Sequence, residues 1–127
     1  MCGIAGILDL NERPIKKDVL KAMVKAQVHR GPNDEGIYID NSIGLGHRRL
    51  SIIDLSERGR QPMESYSGEN VITYNGEVYN YLEIKRELEK NGIYFRSNTD
   101  TEVVLEAIQY WGIKAINKFH GMFAFAI

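Results

Sequence analysis

At 127 residues, with 16 Lys plus Arg set against 17 Asp plus Glu, the chain carries a formal net charge of −1. That length accommodates one domain at most, able to bury roughly two thirds of its unfolded surface. The balanced charge supplies no field to draw nucleic acid or an anionic membrane. The single cysteine, Cys2, excludes a disulfide framework within the chain. No charged start followed by a long apolar stretch signals a leader or a membrane span, so a soluble cytoplasmic protein is the expectation.

Gly3 to Leu8 is short, apolar and interrupted by glycine, which predicts a buried central strand with Cys2 at its head. After a turn at Asn11-Glu12-Arg13-Pro14, Ile15, Val19, Ala22, Met23 and Ala26 recur at helical spacing and predict a helix over 16–29. Gly31-Pro32-Asn33-Asp34 breaks it. Two strands, Ile37–Ile39 and Ile43–His47, flank Asp40-Asn41 as a hairpin. Residues 50–63 are mixed and predict a loop that packs through Ile52, Ile53 and Leu55. Val71–Tyr74 reads as a strand ending at Asn75-Gly76, a common tight-turn dipeptide.

Leu82, Ile84 and Leu88 among charged neighbours predict an amphipathic helix closed by Asn91-Gly92. Ile93-Tyr94-Phe95 reads as a further short strand. Thr99 followed by Glu102 resembles a capping box, and Val103, Val104, Ala107, Ile108 and Trp111 give the next helix its apolar face before Gly112. A helical turn through Ala115-Ile116 leads to an apolar terminal run, 121–127, expected to be a buried strand lacking its hairpin partner. On that ground the chain is expected to be part of a longer domain. Strands alternating with helices indicate a layered α+β fold, which alone says little about function.

Polar clusters fall at the strand ends. A lone cysteine is commonly a small buried hydrophobe. At position 2 it has a second reading, because removal of Met1 would leave one residue with both a thiol and a free α-amine able to accept its proton. Attack of a thiolate on an amide carbonyl creates an oxyanion, and an Asn side chain beside a Gly backbone N–H, here Asn75 and Gly76, can supply two donors to it. Those residues could equally form an ordinary hairpin turn. Arg49 offers a forked donor for an α-carboxylate, and Asp100 or Glu77 a carboxylate for an α-ammonium. Arg48 and Arg49 also read as solvated charge. His29, His47 and His120 are scattered without a cysteine at ligand spacing, which argues for satisfied polar residues and against a zinc site.

Met1-Cys2-Gly3-Ile4-Ala5-Gly6, His29-Arg30-Gly31-Pro32, His47 to Asp54, Gln61-Pro62-Met63, Tyr74-Asn75-Gly76-Glu77-Val78-Tyr79-Asn80 and Gly121 to Ala126 occur in that order along the chain. Together they resemble the glutaminase domain of glutamine-hydrolysing asparagine synthetase, a class II glutamine amidotransferase of the N-terminal nucleophile hydrolase type. The resemblance covers the whole chain; Asn33 departs from it, standing where the family commonly has Asp. It implies an α+β, αββα sandwich of which residues 1–127 are the N-terminal portion. Cys2 would be the nucleophile, its freed amine the base, and Asn75 with Gly76 the oxyanion hole. Arg49 would grip the α-carboxylate of L-glutamine, Leu50, Ser51, Ile52 and Ile53 would form the neighbouring pocket wall, and Glu77 and Asp100 would receive the α-amino group. Arg30 would brace the pocket.

The implied reaction is hydrolysis of L-glutamine to glutamate and ammonia through a Cys2 thioester, with no metal or cofactor in that step. ATP and Mg belong to the family's synthetase domain, which these residues do not contain, and that domain is the implied partner; the family's dimers extend the expectation to a homodimer. Two alternatives stand beside this one: a truncated, non-catalytic module that keeps the pocket, and the glutaminase domain of another class II amidotransferase.

Overall fold

The structure, a computed structural model, describes residues 2–50 and 59–127. Strand β1 (Gly3–Leu8), helix α1 (Lys17–Ala26), β2 (Asp34–Asp40) and β3 (Ile43–Arg49) form one unit; β4 (Met63–Glu64), β5 (Val71–Val78), α2 (Tyr81–Lys90), α3 (Asp100–Trp111), a 3₁₀ segment (Gly112–Lys118) and β6 (Gly121–Ala126) form the other. Each contributes a three-stranded antiparallel sheet, ordered β1-β3-β2 and β4-β5-β6. Helix α1 packs on the first sheet, β1 and β3 pack on β5, α3 packs on β5, and α2 packs on α3. The layers therefore run helix, sheet, sheet, helices, the α+β order expected from the sequence and consistent with part of an N-terminal nucleophile hydrolase fold. Among the described residues no helix is long and apolar enough to cross a membrane.

Side-chain periodicity explains the layering. Along β3, Gly44 and Gly46 turn toward α1, where Leu20 and Val24 are buried over them, and Leu45 and His47 turn the other way. A Cβ at Gly46 would collide with Val24, so the bare backbone there is what lets the helix lie close. Between the sheets, the Thr73 hydroxyl donates to the Gly46 carbonyl at 3.0 Å, and His47 Nε2 lies 3.2 Å from the Tyr74 carbonyl. A carbonyl only accepts, so that nitrogen carries the hydrogen. The larger core lies under β5, where Ile72, Val78, Leu88, Val104 and Leu105 are fully enclosed.

Several elements differ from the sequence reading. Strand β1 is an edge of its sheet among the described residues, with β3 in the centre, and Leu8 is exposed. Helix α1 stops at Ala26, where tighter turns take over: Val28 N–H donates to the Lys25 carbonyl and Arg30 N–H to that of Gln27. Ile93–Phe95 is not a strand; Ile93 and Phe95 pack on the core from a loop between α2 and α3 that forms no backbone ladder with a strand among the described residues. The pair Met63–Glu64 forms a short edge strand without any preceding signal. The terminal strand β6 is half exposed, with Met122 turned outward and Phe123 and Phe125 inward, because only one of its faces meets the core. Asn75-Gly76 is no turn: β5 runs through it, paired with Ala124 and Phe123 of β6. The expected packing of Ile52, Ile53 and Leu55 lies outside the described residues.

His47 gives the fold a pH dependence. Burial first, and the nearby Arg49 charge second, outweigh the Tyr74 carbonyl and Asp34 and hold its pKa down to about 4. The unfolded chain then binds a proton at this position between its ordinary value of 6.5 and about 4, while the folded chain does not. The contribution to stability is complete above the unfolded value and is lost as pH falls toward the folded one, by roughly 3 kcal/mol in all. Urea denaturation from pH 7 to 4.5 should show stability falling as pH drops. His47→Gln, which keeps a donor for the Tyr74 carbonyl, should flatten that slope.

Candidate active site

The first sheet brings its two chemistry-bearing ends together by register. Gly3 of β1 pairs with Arg48 of β3, which sets Cys2 beside Arg49 and Leu50. The Leu50 N–H donates to Cys2 Sγ at 3.4 Å, Sγ lies 3.9 Å from the Leu50 carbonyl, and Arg30 Nε donates to the Cys2 carbonyl at 3.0 Å. The cysteine is half-buried and unpaired, and Arg30 braces its backbone. Alternation separates the two arginines. Arg48 turns away, buried, donating through Nε to the Gly31 carbonyl at 2.7 Å and pairing with Glu35 at 2.7 Å. It is therefore not solvated surface charge. Arg49 turns into a cleft, its guanidinium lying over Gly59, where a Cβ would come within 2.7 Å of Nη2.

The cleft, of about 480 Å³, lies between this corner, the end of β5 and the first turn of α3. Cys2, Arg49, Leu50, Asn75, Gly76, Glu77 and Asp100 all line it. The remaining residues of the expected pocket wall, Ser51, Ile52 and Ile53, lie outside the described residues. On β5, Thr73 faces the first sheet, so the two-residue period carries Asn75 and Glu77 to the same side. Among the described residues the Asn75 amide makes no hydrogen bond, and it is not sealed from solvent, leaving its donors available in the cleft. Gly76 is required by crowding, since a Cβ would lie 2.5 Å from the Met122 carbonyl oxygen and 2.6 Å from Phe123 Cα.

Asp100 opens α3, where the helix N-terminus favours a carboxylate. Its Oδ2 accepts from the Tyr74 hydroxyl at 2.8 Å and from the Val78 N–H at 3.1 Å. Burial, then the Asp100 charge and hydrogen bond, push the Tyr74 phenol far above its usual pKa, so it remains a donor at any working pH. Three further residues line the cleft without a role in the sequence reading, although Gln61 and Tyr74 stand within its quoted motifs. Gln61, buried, accepts the Tyr74 N–H at 2.6 Å and donates to Thr101 Oγ1 at 3.3 Å; Tyr74 reads as an ordinary strand residue; Gly59 reads as part of a polar loop.

The loop ahead of α3 is tied down by one carboxylate. Thr99 Oγ1 accepts the Glu102 N–H at 3.3 Å, the first half of the expected capping box. The second half is redirected. The buried Glu102 carboxylate reaches past Thr99 to the N–H groups of Arg96 at 2.8 Å and Ser97 at 2.6 Å, and to the Ser97 hydroxyl at 2.6 Å. Ser97 Oγ holds the Thr99 N–H at 3.3 Å in its place.

An α+β domain of two stacked antiparallel sheets between helices gathers in one cleft a cysteine at the head of its first strand, an arginine, an asparagine and two carboxylates, groups from which a thiol-dependent hydrolase or transferase can be built. Residues 1–127 match the glutamine amidotransferase domain family, and the chain belongs to it. The whole chain aligns with a putative asparagine synthetase [glutamine-hydrolyzing] 2 of Methanocaldococcus jannaschii at 46% identity, covering 27% of that protein. It also aligns over its whole length with asparagine synthetase [glutamine-hydrolyzing] 1 of Bacillus subtilis at 43% identity, covering 20% of it, and with asparagine synthetase B of Escherichia coli at 35%, covering 23%. The chain thus spans about a quarter of the length of these relatives.

Glu102→Gln tests whether this carboxylate fixes the cleft's α3 wall. An amide offers one acceptor where three donors converge, so the variant should lose about 2–3 kcal/mol by urea denaturation. Hydrogen exchange at the amides of Arg96 and Ser97 should accelerate.

Proposed function

We propose that this chain is the glutaminase half of a glutamine-hydrolysing asparagine synthetase, converting L-glutamine and water to L-glutamate and ammonia. One observation carries the reading: a single cleft gathers Cys2, Arg49, Asn75, Gly76, Glu77 and Asp100, the side chains that an amide-hydrolysing thiol and an amino-acid substrate require. The names of the relatives add the particular reaction.

In this reading Met1 is removed and the α-amine of Cys2 takes the Sγ proton. The thiolate adds to the side-chain carbonyl of glutamine, and the oxyanion accepts hydrogen bonds from the Asn75 amide and the Gly76 N–H. Collapse breaks the C–N bond; the ammonium form of the α-amine returns the proton to the departing nitrogen, and ammonia leaves a γ-glutamyl thioester on Sγ. Water, deprotonated by the same amine, adds to the thioester carbonyl, and expulsion of Sγ gives glutamate and restores the thiol. Arg49 holds the substrate α-carboxylate with Leu50 and residues 51–53 beside it, and Glu77 and Asp100 receive the α-ammonium. These residues form the N-terminal part of one amidotransferase domain. The ammonia passes to a synthetase domain elsewhere in a longer cytoplasmic, dimeric protein, and ATP and Mg act there.

The test is covalent. With the N-terminus checked by mass, 6-diazo-5-oxo-L-norleucine should label Cys2, and excess glutamine should block the label. In the full-length protein, Cys2→Ala should lower glutamine-dependent asparagine synthesis by about 10³-fold or more while synthesis from free ammonia persists. Undiminished use of glutamine would overturn the reading.

A further inference from the structure

Tyr74 meets three separate parts of the molecule. Its carbonyl accepts from His47 of the first sheet, its N–H donates to Gln61, and its hydroxyl donates to Asp100 at the head of α3. Gln61 in turn donates to Thr101, so β5 is tied to the first turn of α3 both by the tyrosine side chain and through the glutamine. The consequence falls on the two oxygens of Asp100. Oδ2 is occupied by the Tyr74 hydroxyl and the Val78 N–H, whereas among the described residues Oδ1 accepts no hydrogen bond and belongs to a residue that lines the cleft.

We propose that Tyr74 is a positioning residue that turns one oxygen of Asp100 into the cleft and thereby sets the affinity for the substrate's α-ammonium group, not the rate of amide cleavage. The inference rests on the assignment of glutamine as substrate. Without the hydroxyl, Oδ2 keeps one donor, the carboxylate gains freedom to rotate, and part of the bound population no longer presents Oδ1 to the ammonium. The Tyr74 hydroxyl is hydrogen-bonded to Asp100 and not to Cys2, Asn75 or Gly76, so removing it leaves the groups that act on a bound amide in place.

Tyr74→Phe in the full-length protein removes the hydroxyl alone. Glutaminase kinetics should show KM for L-glutamine raised about tenfold with kcat within about twofold. The same measurement with glutaramate, which is glutamine without its α-amino group, should give equal kcat/KM for wild type and variant. Alkylation of Cys2 by iodoacetamide should proceed at the wild-type rate, and it decides the question alone where wild type does not turn glutaramate over. An unchanged KM for glutamine, an equal loss on both substrates, or slowed alkylation would overturn the proposal, the last two by showing general damage to the site. Failure of the wild type to hydrolyse glutamine would instead strike the substrate assignment.

Discussion

The geometry of the cleft depends on how the two sheets are locked face to face. Two inter-sheet hydrogen bonds, Thr73 to the Gly46 carbonyl and His47 to the Tyr74 carbonyl, fix β3 against β5 at adjacent positions. Both are buried, where a lost partner leaves a polar group without water to replace it, so sliding one sheet past the other is costly. The register of β1 on β3 then brings Cys2 to the same corner, and the period of β5 brings Asn75 and Glu77 to it from the other side. The sheet contact thus delivers Cys2 and Arg49 from one side and Asn75 and Glu77 from the other, while Asp100 is brought in by its own bonds to Tyr74 and Val78.

Helix α3 supplies the third wall under an unusual burden. Thr101 to Ala107 are all buried, two glutamates among them, so the helix is enclosed on nearly every side. Glu102 is offset by its three donors and by the Arg96 guanidinium at 3.7 Å. Among the described residues Glu106 accepts only the Tyr66 N–H, and burial together with the charge of Glu102 one turn away raises its pKa. Carboxylates in such places are poor devices for stability, since apolar side chains would bury more simply. What they achieve is attachment: one grips the loop before α3 and the other the residue after Ser65, and both segments flank the elements that carry the site.

Much of this was legible in the sequence where the signal is local. The hairpin at Asn41, whose φ is +45°, the stops of α2 and α3 at Gly92 and Gly112, and the Thr99 cap all rest on residues within a few positions of one another. Readings failed where a distant partner decides. Asn75-Gly76 has the composition of a tight turn, yet β6, arriving about fifty residues later, pairs across it and extends the strand. Ile93–Phe95 has strand composition but pairs with no strand among the described residues. The carboxylate of Glu102 fits a capping box and is drawn past it by Arg96 and Ser97. Gln61 is silent because its partners lie 13 and 40 residues away.

The misread turn is also where the chemistry of the site becomes intelligible. Had the chain reversed at Asn75-Gly76, Asn75 and Glu77 would have lain on opposite arms of a hairpin. As an uninterrupted strand, β5 instead sends them both to the cleft face while Tyr74 and Val78 face α3, where the hydroxyl of one and the N–H of the other meet Asp100. One stretch of extended backbone thus presents an amide and a carboxylate to the cleft and, from its reverse side, orients a second carboxylate. Gly76 between them is the cost of that economy: β6 runs so close that any side chain there would strike its backbone. The dipeptide that looks like a turn is a pair of strand residues, an amide aimed into the cleft and a glycine that clears room for the neighbouring strand.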